Sequence, residues 1–161
     1  MYQWILLLLL VSASFSPPTA WARSSRNTTG PQKQFGIGVV AGVPTGITVK
    51  FNIDQAISID GGAGWSTSSD DQLHVYGTGL YHLYHLIRVP KGRLPVYFGA
   101  GLRFLSRDKK DDKFGVRIPA GVEYQFADLP LGAFAEIAPV LNLTPDTDFD
   151  LEGGIGIRFF F

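Results

Sequence analysis

Apolar residues recur at every second position from Phe35 to the C-terminus, in segments separated by clusters of turn residues. This period of two is typical of β-strands that have one apolar face. No segment shows a 3.6-residue helical stripe, and prolines stand near the segment ends. The pattern predicts eight strands, joined as an antiparallel up-and-down meander. They lie near residues 35–42, 46–53, 56–65, 73–84, 95–105, 114–126, 131–142 and 150–161.

The polar faces of these strands are crowded. In the last segment, Glu152 and Arg158 share a face with glycines, while Ile155 and Ile157 lie on the other face. Glycine weakens a strand and has no advantage on a water-facing surface. An eight-stranded barrel has an interior just wide enough for side chains, and glycines beside long charged side chains suit that interior. We therefore predict an all-β, eight-stranded transmembrane barrel, with its charges inside and its apolar face against lipid.

The inward positions collect equal numbers of opposite charges. Because buried charges are costly unless they are paired, equal numbers favour a closed ion-pair network over a wet pore. We expect Lys50 and Asp60 to face each other if the second hairpin is centred near Gln55. Solvated faces of a soluble sandwich are the alternative. The predicted network has four cations and four anions: Lys50, Arg103, Arg117, Arg158, Asp60, Glu123, Glu136 and Glu152.

Aromatic residues stand at both ends of the apolar faces, where a barrel wall crosses the two membrane interfaces. Placing the C-terminus in the periplasm makes residues 43–46, 66–72, 106–113 and 144–149 the outward loops. Pro119 and Pro139 lie mid-strand, and we expect β-bulges there because a closed barrel has no edge to hold a missing donor. One rim would hold Phe35, Phe51, Tyr81, Tyr124, Phe126, Phe159 and Phe161, and the other Trp65, Phe104 and Phe114.

The N-terminal region differs from the rest of the chain. Residues 1–22 carry no charged side chain, and residues 5–11 form an apolar run that precedes a small-x-small site ending at Ala22. The run is too short to span a membrane as a helix but fits a secretory signal peptide. We expect cleavage after Ala22, a disordered polar arm over residues 23–34 and a barrel domain over residues 35–161. An uncleaved anchor is the alternative.

Composition excludes several classes of function. The chain of 161 residues suits one domain, and its formal net charge is zero, so no basic surplus indicates a nucleic-acid partner. The absence of cysteine excludes disulfides, a thiolate nucleophile and cysteine-ligated metals. We expect no cofactor.

Two loops could bind ions or lipid. Asp146, Asp148 and Asp150 alternate like calcium ligands, but Leu151 and Ile157 stand where a calcium loop needs Gly and Glu. A weaker divalent site at the lipopolysaccharide surface is the alternative to a solvated acidic loop. The mixed charges of residues 107–113 could contact lipid phosphates through their cations, although they are more typical of a soluble loop.

Histidines could indicate metal binding or catalysis. His74, His82 and His85 are spaced so that they do not converge on one ion without other partners, so we expect no metal. Lipid A deacylases place a serine two residues after a histidine, and here those positions hold Tyr76, Tyr84 and Ile87. A catalytic set of nucleophile, acid and base is still an alternative, because the required residue types occur close together in the chain: Ser66, Ser68, Ser69, Asp70, Asp71 and His74.

The C-terminus resembles the assembly signal of Gram-negative outer-membrane barrels, with Phe161 preceded by Ile157 and Phe159 at alternate positions. Residues 42–47, 117–121 and 138–151 are similar to motifs of a widespread family of small outer-membrane barrels of the OmpA/OmpX type. The resemblance spans residues 35–161. It implies an eight-stranded barrel without known enzymatic activity, with outer-membrane lipids, lipopolysaccharide and the barrel assembly machinery as partners.

The expected function is that of an outer-membrane barrel with a structural or surface-interaction role. We expect the ion pairs to close its interior, leaving at most a narrow pore, and we expect no enzymatic activity. One alternative is a module that holds lipopolysaccharide or a partner barrel through its girdle and loops. Another is an enzyme that modifies lipid A.

Deleting Phe161 should impair assembly while leaving export intact, because the leader acts before the terminal aromatic residue does. The measurement is the amount of heat-modifiable barrel in the outer membrane relative to the amount exported to the periplasm. Normal outer-membrane levels of the truncated chain would contradict the assignment of Ile157, Phe159 and Phe161 as an assembly signal.

Overall fold

The computed structural model describes residues 33–65, 72–107 and 111–161, with Gln72 described by its backbone only. The expected signal peptide, most of the polar arm and the tips of two outward loops lie outside the described residues. Among these lie Ser66, Ser68, Ser69, Asp70 and Asp71, the loop residues considered above as parts of a catalytic set.

The regular secondary structure of the described residues consists of antiparallel strands, which confirms the predicted fold class. None of the described residues belongs to a helix long and apolar enough to cross a membrane. The strands are β1 (Phe35–Val43), β2 (Thr45–Asn52), β3 (Ile57–Trp65), β4 (Gln72–Leu83), β5 (Val96–Arg107), β6 (Lys113–Arg117), β7 (Ala120–Gln125), β8 (Leu131–Thr144) and β9 (Asp148–Phe160).

The strands close into a ring in which chain neighbours are also sheet neighbours. The short strands β6 and β7 follow one another along the same gap between β5 and β8, so together they act as one strand of an eight-stranded barrel. The first and last strands close the ring through the pairing of β1 with β9. Closure leaves no unpaired edge, as a sheet surrounded by lipid requires.

The sixth predicted strand, residues 114–126, is interrupted between Arg117 and Ala120. Its partners on β5, Gly101 and Phe98, are also three residues apart, so the register is unchanged across the gap. The bulge predicted at Pro119 is therefore wrong. Proline removes one donor from the ladder but adds no residue, so the strand stops briefly without shifting.

The second predicted bulge, at Pro139, is also wrong. Pro139 lies within β8, and its carbonyl accepts a hydrogen bond of 3.0 Å from the Ile118 amide. The register shift between β6 and β8 instead lies between Phe114 and Gly115, where Leu143 is the additional residue. The residues on either side of Pro139 keep their pairing with β9, and the Pro139 carbonyl still accepts a hydrogen bond from Ile118, so β8 continues through the proline without a change of register.

Side chains alternate between the interior and the exterior along the strands, and most of the large apolar residues lie outside. The interior holds the charged residues together with a smaller set of apolar ones, among them Leu80, Phe134 and Val140. In β2, Thr48 and Lys50 are buried, whereas Ile47 is 52% exposed and Val49 is 40% exposed. Large exposed apolar residues occur on strands around the whole ring. Soluble proteins rarely expose continuous apolar surfaces of this extent, and such surfaces mark contact with a membrane or a partner.

Aromatic rings contact one another at the end of the barrel that carries the C-terminus. The rings of Phe35 and Phe161 stack with centroids 6.0 Å apart, and Phe159 meets Phe161 edge-on at 5.2 Å. Tyr124 and Phe126 form a further edge-on pair at 4.8 Å. The contact between Phe35 and Phe161 holds the end of the chain against β1. We call this rim the turn end; the opposite end is the loop end.

The exterior assignment predicts a contrast between two substitutions. Ile137 is 63% exposed in the middle of β8, whereas Leu129 is 54% exposed in the turn between β7 and β8. Ile137→Arg should cost about 2 to 4 kcal/mol near the bilayer midplane, whereas Leu129→Arg should cost about 0 to 1 kcal/mol near the interface. Urea midpoints of barrels folded in lipid vesicles measure both changes. Equal midpoints for the two variants would mean that Ile137 does not face lipid.

Candidate functional site

The barrel interior holds all eight charged residues that the sequence analysis assigned to it. Each of these side chains is 8% exposed or less. They fall into two clusters, each with two cations and two anions. The turn-side cluster consists of Lys50, Asp60, Glu123 and Arg158, and the loop-side cluster of Arg103, Arg117, Glu136 and Glu152.

Glu123 is the centre of the turn-side cluster. Its Oε2 accepts a hydrogen bond of 2.6 Å from Lys50 Nζ, and its Oε1 lies 3.2 Å from Arg158 Nη1. The Arg158 guanidinium also donates to Asp60 and, over 2.9 Å, to Thr48 Oγ1. Each charge in this cluster therefore has an opposite charge as a direct partner, which offsets the cost of burial.

Glu152 has the same central position in the loop-side cluster. Its two oxygens lie 2.6 Å from Arg103 Nη1 and 3.1 Å from Arg117 Nε. Arg117 also donates to Glu136 over 2.5 Å. Arg103 reaches further towards the loops and pairs with Asp150 at 2.8 Å. The cluster thus extends from the middle of the barrel to its loop end.

Five of the six ion pairs within the two clusters join strands that are not neighbours in the ring. Lys50 on β2 pairs with Glu123 on β7, Arg158 on β9 pairs with Asp60 on β3, and Arg103 on β5 pairs with Glu152 on β9. Lys50 and Asp60 are cross-strand neighbours as expected, but each takes its ion-pair partner from elsewhere. The pairs therefore cross the interior rather than follow its wall.

Aromatic rings connect the two clusters. The Arg117 guanidinium lies 4.4 Å from the ring centroid of Tyr76, and the Tyr76 hydroxyl lies 3.5 Å from Thr48 Oγ1. The Arg158 guanidinium lies 3.9 Å from the ring centroid of Phe134. Stacking of a desolvated cation on an aromatic face is favourable, so the rings both fill space and support the charges.

Several glycines make room for these rings. A Cβ on Gly156 would lie 2.5 Å from the Phe134 ring, and a Cβ on Gly62 would lie 2.6 Å from the Tyr76 ring. From the sequence we expect the inward glycines to accommodate long charged side chains, and that prediction assigns no such role to Phe134 or Tyr76. The signal was available, because both aromatics have the same strand parity as neighbouring inward polar residues.

The histidines separate into two interior residues and one exposed residue. His74 Nε2 lies 3.5 Å from a Glu152 oxygen, and His82 Nε2 lies 2.9 Å from Lys50 Nζ, whereas His85 is exposed. Across the described parts of the chain, no three His, Asp or Glu side chains are grouped to hold a metal.

The acidic residues of the last outward loop lie close to a lysine. Lys113 Nζ is 2.6 Å from an Asp148 oxygen and 3.5 Å from an Asp150 oxygen, while Asp146 is exposed. These contacts use two of the alternating carboxylates in salt bridges at the mouth of the barrel.

The C-terminal residues assigned to assembly face outwards. Ile157, Phe159 and Phe161 are 57%, 42% and 58% exposed. The Phe161 amide donates to the Phe35 carbonyl over 2.8 Å, so the end of the chain is held against β1. A face of this kind is open to lipid or to another protein.

Comparison with solved structures bears on the fold. The N-terminal β-barrel domain of Pseudomonas aeruginosa OprF matches with a TM-score of 0.65 and 18% identity, covering 81% of this chain and 98% of that domain. The fold is that of an outer-membrane β-barrel. Neisserial surface protein A matches with a TM-score of 0.49 and 14% identity, over 80% of this chain and 95% of that chain. No protein-family model matches the sequence. No curated protein matches it either.

The turn-side cluster predicts non-additive stability changes. Glu123→Gln removes the carboxylate that lies against Lys50 and should cost up to about 3 to 5 kcal/mol, because it leaves a buried cation without its direct partner. Adding Lys50→Met should recover part of that loss. A double-mutant cycle measures this coupling: the free energies of unfolding of the parent, Glu123→Gln, Lys50→Met and the double variant are compared by urea unfolding in lipid vesicles. A double variant that loses the full sum of the single losses would show that the two residues are not coupled.

Proposed function

We propose that this protein is an outer-membrane β-barrel with a structural or surface-interaction role, whose interior is closed by the two ion clusters. It conducts, at most, through a narrow pore, and it is not an enzyme. The protein reaches the membrane by way of the expected signal peptide over residues 1–22 and a barrel assembly machinery that reads Ile157, Phe159 and Phe161. Its neighbours are outer-membrane lipids and, at the loop end, lipopolysaccharide.

The apolar exterior supports the location in a membrane. Ile155 and Leu151 on β9 are 67% and 66% exposed, and Ile59 on β3 is 54% exposed. Transferring such side chains from water into hydrocarbon is favourable by about 25 cal/mol for each Å² of apolar surface. A lipid bilayer satisfies the whole belt at once, whereas a partner protein would have to surround the barrel.

The crossing ion pairs carry the proposal of a closed interior. Arg158 is 1% exposed and contacts β2, β3 and β7 from its position on β9, so it occupies the barrel axis. Arg117 occupies the neighbouring layer, against Glu136, Glu152 and the Tyr76 ring. An ion passing through the barrel would have to displace paired charges at both levels, and breaking a buried pair is costly.

The lipid-editing alternative finds less support in the geometry. His74, the base of the candidate catalytic set, is 2% exposed and points into the barrel next to Glu152, away from the lipid phase. A hydrolase acting on lipid A needs its base within reach of the lipid. Mass spectra of lipid A from cells that express the protein and cells that lack it should therefore be identical. A change in acyl chain number or position would identify an enzyme and overturn this part of the proposal.

Conductance in planar bilayers tests the closed interior. The parent barrel should give no stable current steps. The double variant Arg158→Ala with Asp60→Asn removes both partners of one pair, so no new charge is left alone, and it should open a conducting path. Arg107→Ala at the loop end is the matched control and should behave like the parent. Large, stable steps from the parent barrel would contradict a closed interior.

A further inference from the structure

The turn between β4 and β5 is unlike the other described turns. Residues 84–95, which we call the basic turn, contain Arg88, Lys91 and Arg93 but no Asp or Glu. The side chains of all three cations are exposed. Leu86 and Ile87, in the same turn, are 55% and 40% exposed. The basic turn therefore presents uncompensated positive charge beside exposed apolar side chains.

The basic turn is held against β7. The Arg93 amide donates to the Gln125 carbonyl over 3.0 Å, and the Gln125 amide donates to the Arg93 carbonyl over 2.8 Å. The Tyr124 hydroxyl donates to the Lys91 carbonyl over 3.0 Å. Gly92 has a φ of +72°, and a Cβ there would lie 2.3 Å from the Gln125 carbonyl oxygen, so this close approach requires glycine.

A cavity of about 450 Å³ lies beside this anchored segment. Two guanidinium residues, Arg88 and Arg93, line it together with apolar Ile87 and Leu94. Within the described parts of the chain, no carboxylate oxygen lies within 4.0 Å of the side-chain nitrogens of Arg88, Lys91 or Arg93. Every cation of the interior has such a partner, whereas this cavity brings two guanidinium groups together with no carboxylate beside them among the described residues. The Arg93 guanidinium lies 5.9 Å from the ring centroid of Tyr84, which also lines the cavity.

The basic turn begins directly beyond the aromatic rim at the turn end. Tyr81 and Phe98, whose rings lie 5.9 Å apart, are the outward aromatic residues near the ends of β4 and β5 from which it emerges. Aromatic rings of this kind mark the level of lipid headgroups. Cations placed at that level meet phosphates, while Leu86 and Ile87 can reach the upper part of the acyl chains.

We propose that the basic turn binds the phosphate of an anionic phospholipid between Arg88 and Arg93, with an acyl chain along Leu86 and Ile87. This inference rests on the proposed location in the membrane. Guanidinium groups bind phosphate oxygens through paired hydrogen bonds, and each cation near an anionic membrane surface adds to the attraction. A soluble anion, or the carboxylates of a cell-wall polymer, would leave the exposed apolar side chains without a role.

Native mass spectrometry of the folded barrel in non-ionic detergent tests the site. The probe is dioleoylphosphatidylglycerol, with dioleoylphosphatidylcholine as the neutral-headgroup comparison. The parent should retain one phosphatidylglycerol in preference to phosphatidylcholine. Arg88→Gln with Arg93→Gln should weaken that retention by at least about fivefold, since the energy of one cation near an anionic surface corresponds to that factor. Arg107→Gln, a cation at the loop end, should retain lipid like the parent.

Four results would overturn the inference. The double variant could retain phosphatidylglycerol as well as the parent does, or the parent could retain both lipids equally, which would assign retention to the apolar belt alone. Competition by millimolar inorganic phosphate, or preferential binding to isolated cell-wall sacculi, would assign the cations to a different anion. A separate gel assay checks that each protein is a folded barrel, because a folded barrel migrates differently before and after boiling. A parent protein whose migration does not change on boiling would contradict the proposed function itself.

Discussion

The narrow interior of an eight-stranded barrel is the constraint on which the rest of this structure depends. An interior of this width can be filled only by side chains, and here parity places charges inside. These charges are stable only in pairs, and the pairs of Lys50 with Glu123 and Arg103 with Glu152 reach across the interior to make them. Rings such as Phe134 fill the remaining space because glycines face them. Most of the large apolar residues then face outwards, and the proposed membrane location places them against lipid.

The strand pattern could be predicted because each residue of a strand takes one of two faces. Alternation alone placed the strand ends within two residues of the observed bounds for most of the ring, including β1 (Phe35–Val43) and β4 (Gln72–Leu83). The effect of the mid-strand prolines on their strands could not be predicted from this alternation. Whether Pro119 interrupts a strand or bulges it depends on the register of the two neighbouring strands, and local sequence does not contain that register. The register shift opposite Leu143 lies between Phe114 and Gly115, but glycines occur in most of the strands, so this one does not mark the shift.

The contents of the interior could also be predicted from parity, but not the partners. Lys50 faces Asp60 across a hairpin, and a local interpretation would pair them. The observed pairs depend on the stagger of the closed ring and on the reach of long side chains, which bring Lys50 to Glu123 and Arg158 to Asp60. Both are properties of the whole barrel. The basic turn is a similar case: its composition is visible in the sequence, but the cavity shared by its two arginines appears only in the fold.

The proposed closed interior requires that the interior charges are paired with one another and protected from water. Solution NMR of the barrel in detergent micelles measures this directly, through exchange of arginine Nε–H protons after transfer to D2O. The guanidinium signals of Arg103, Arg117 and Arg158 should persist long after the signal of Arg107 at the loop end has disappeared. Loss of the interior signals as fast as that of Arg107 would mean that water fills the barrel and that the ion clusters do not close it.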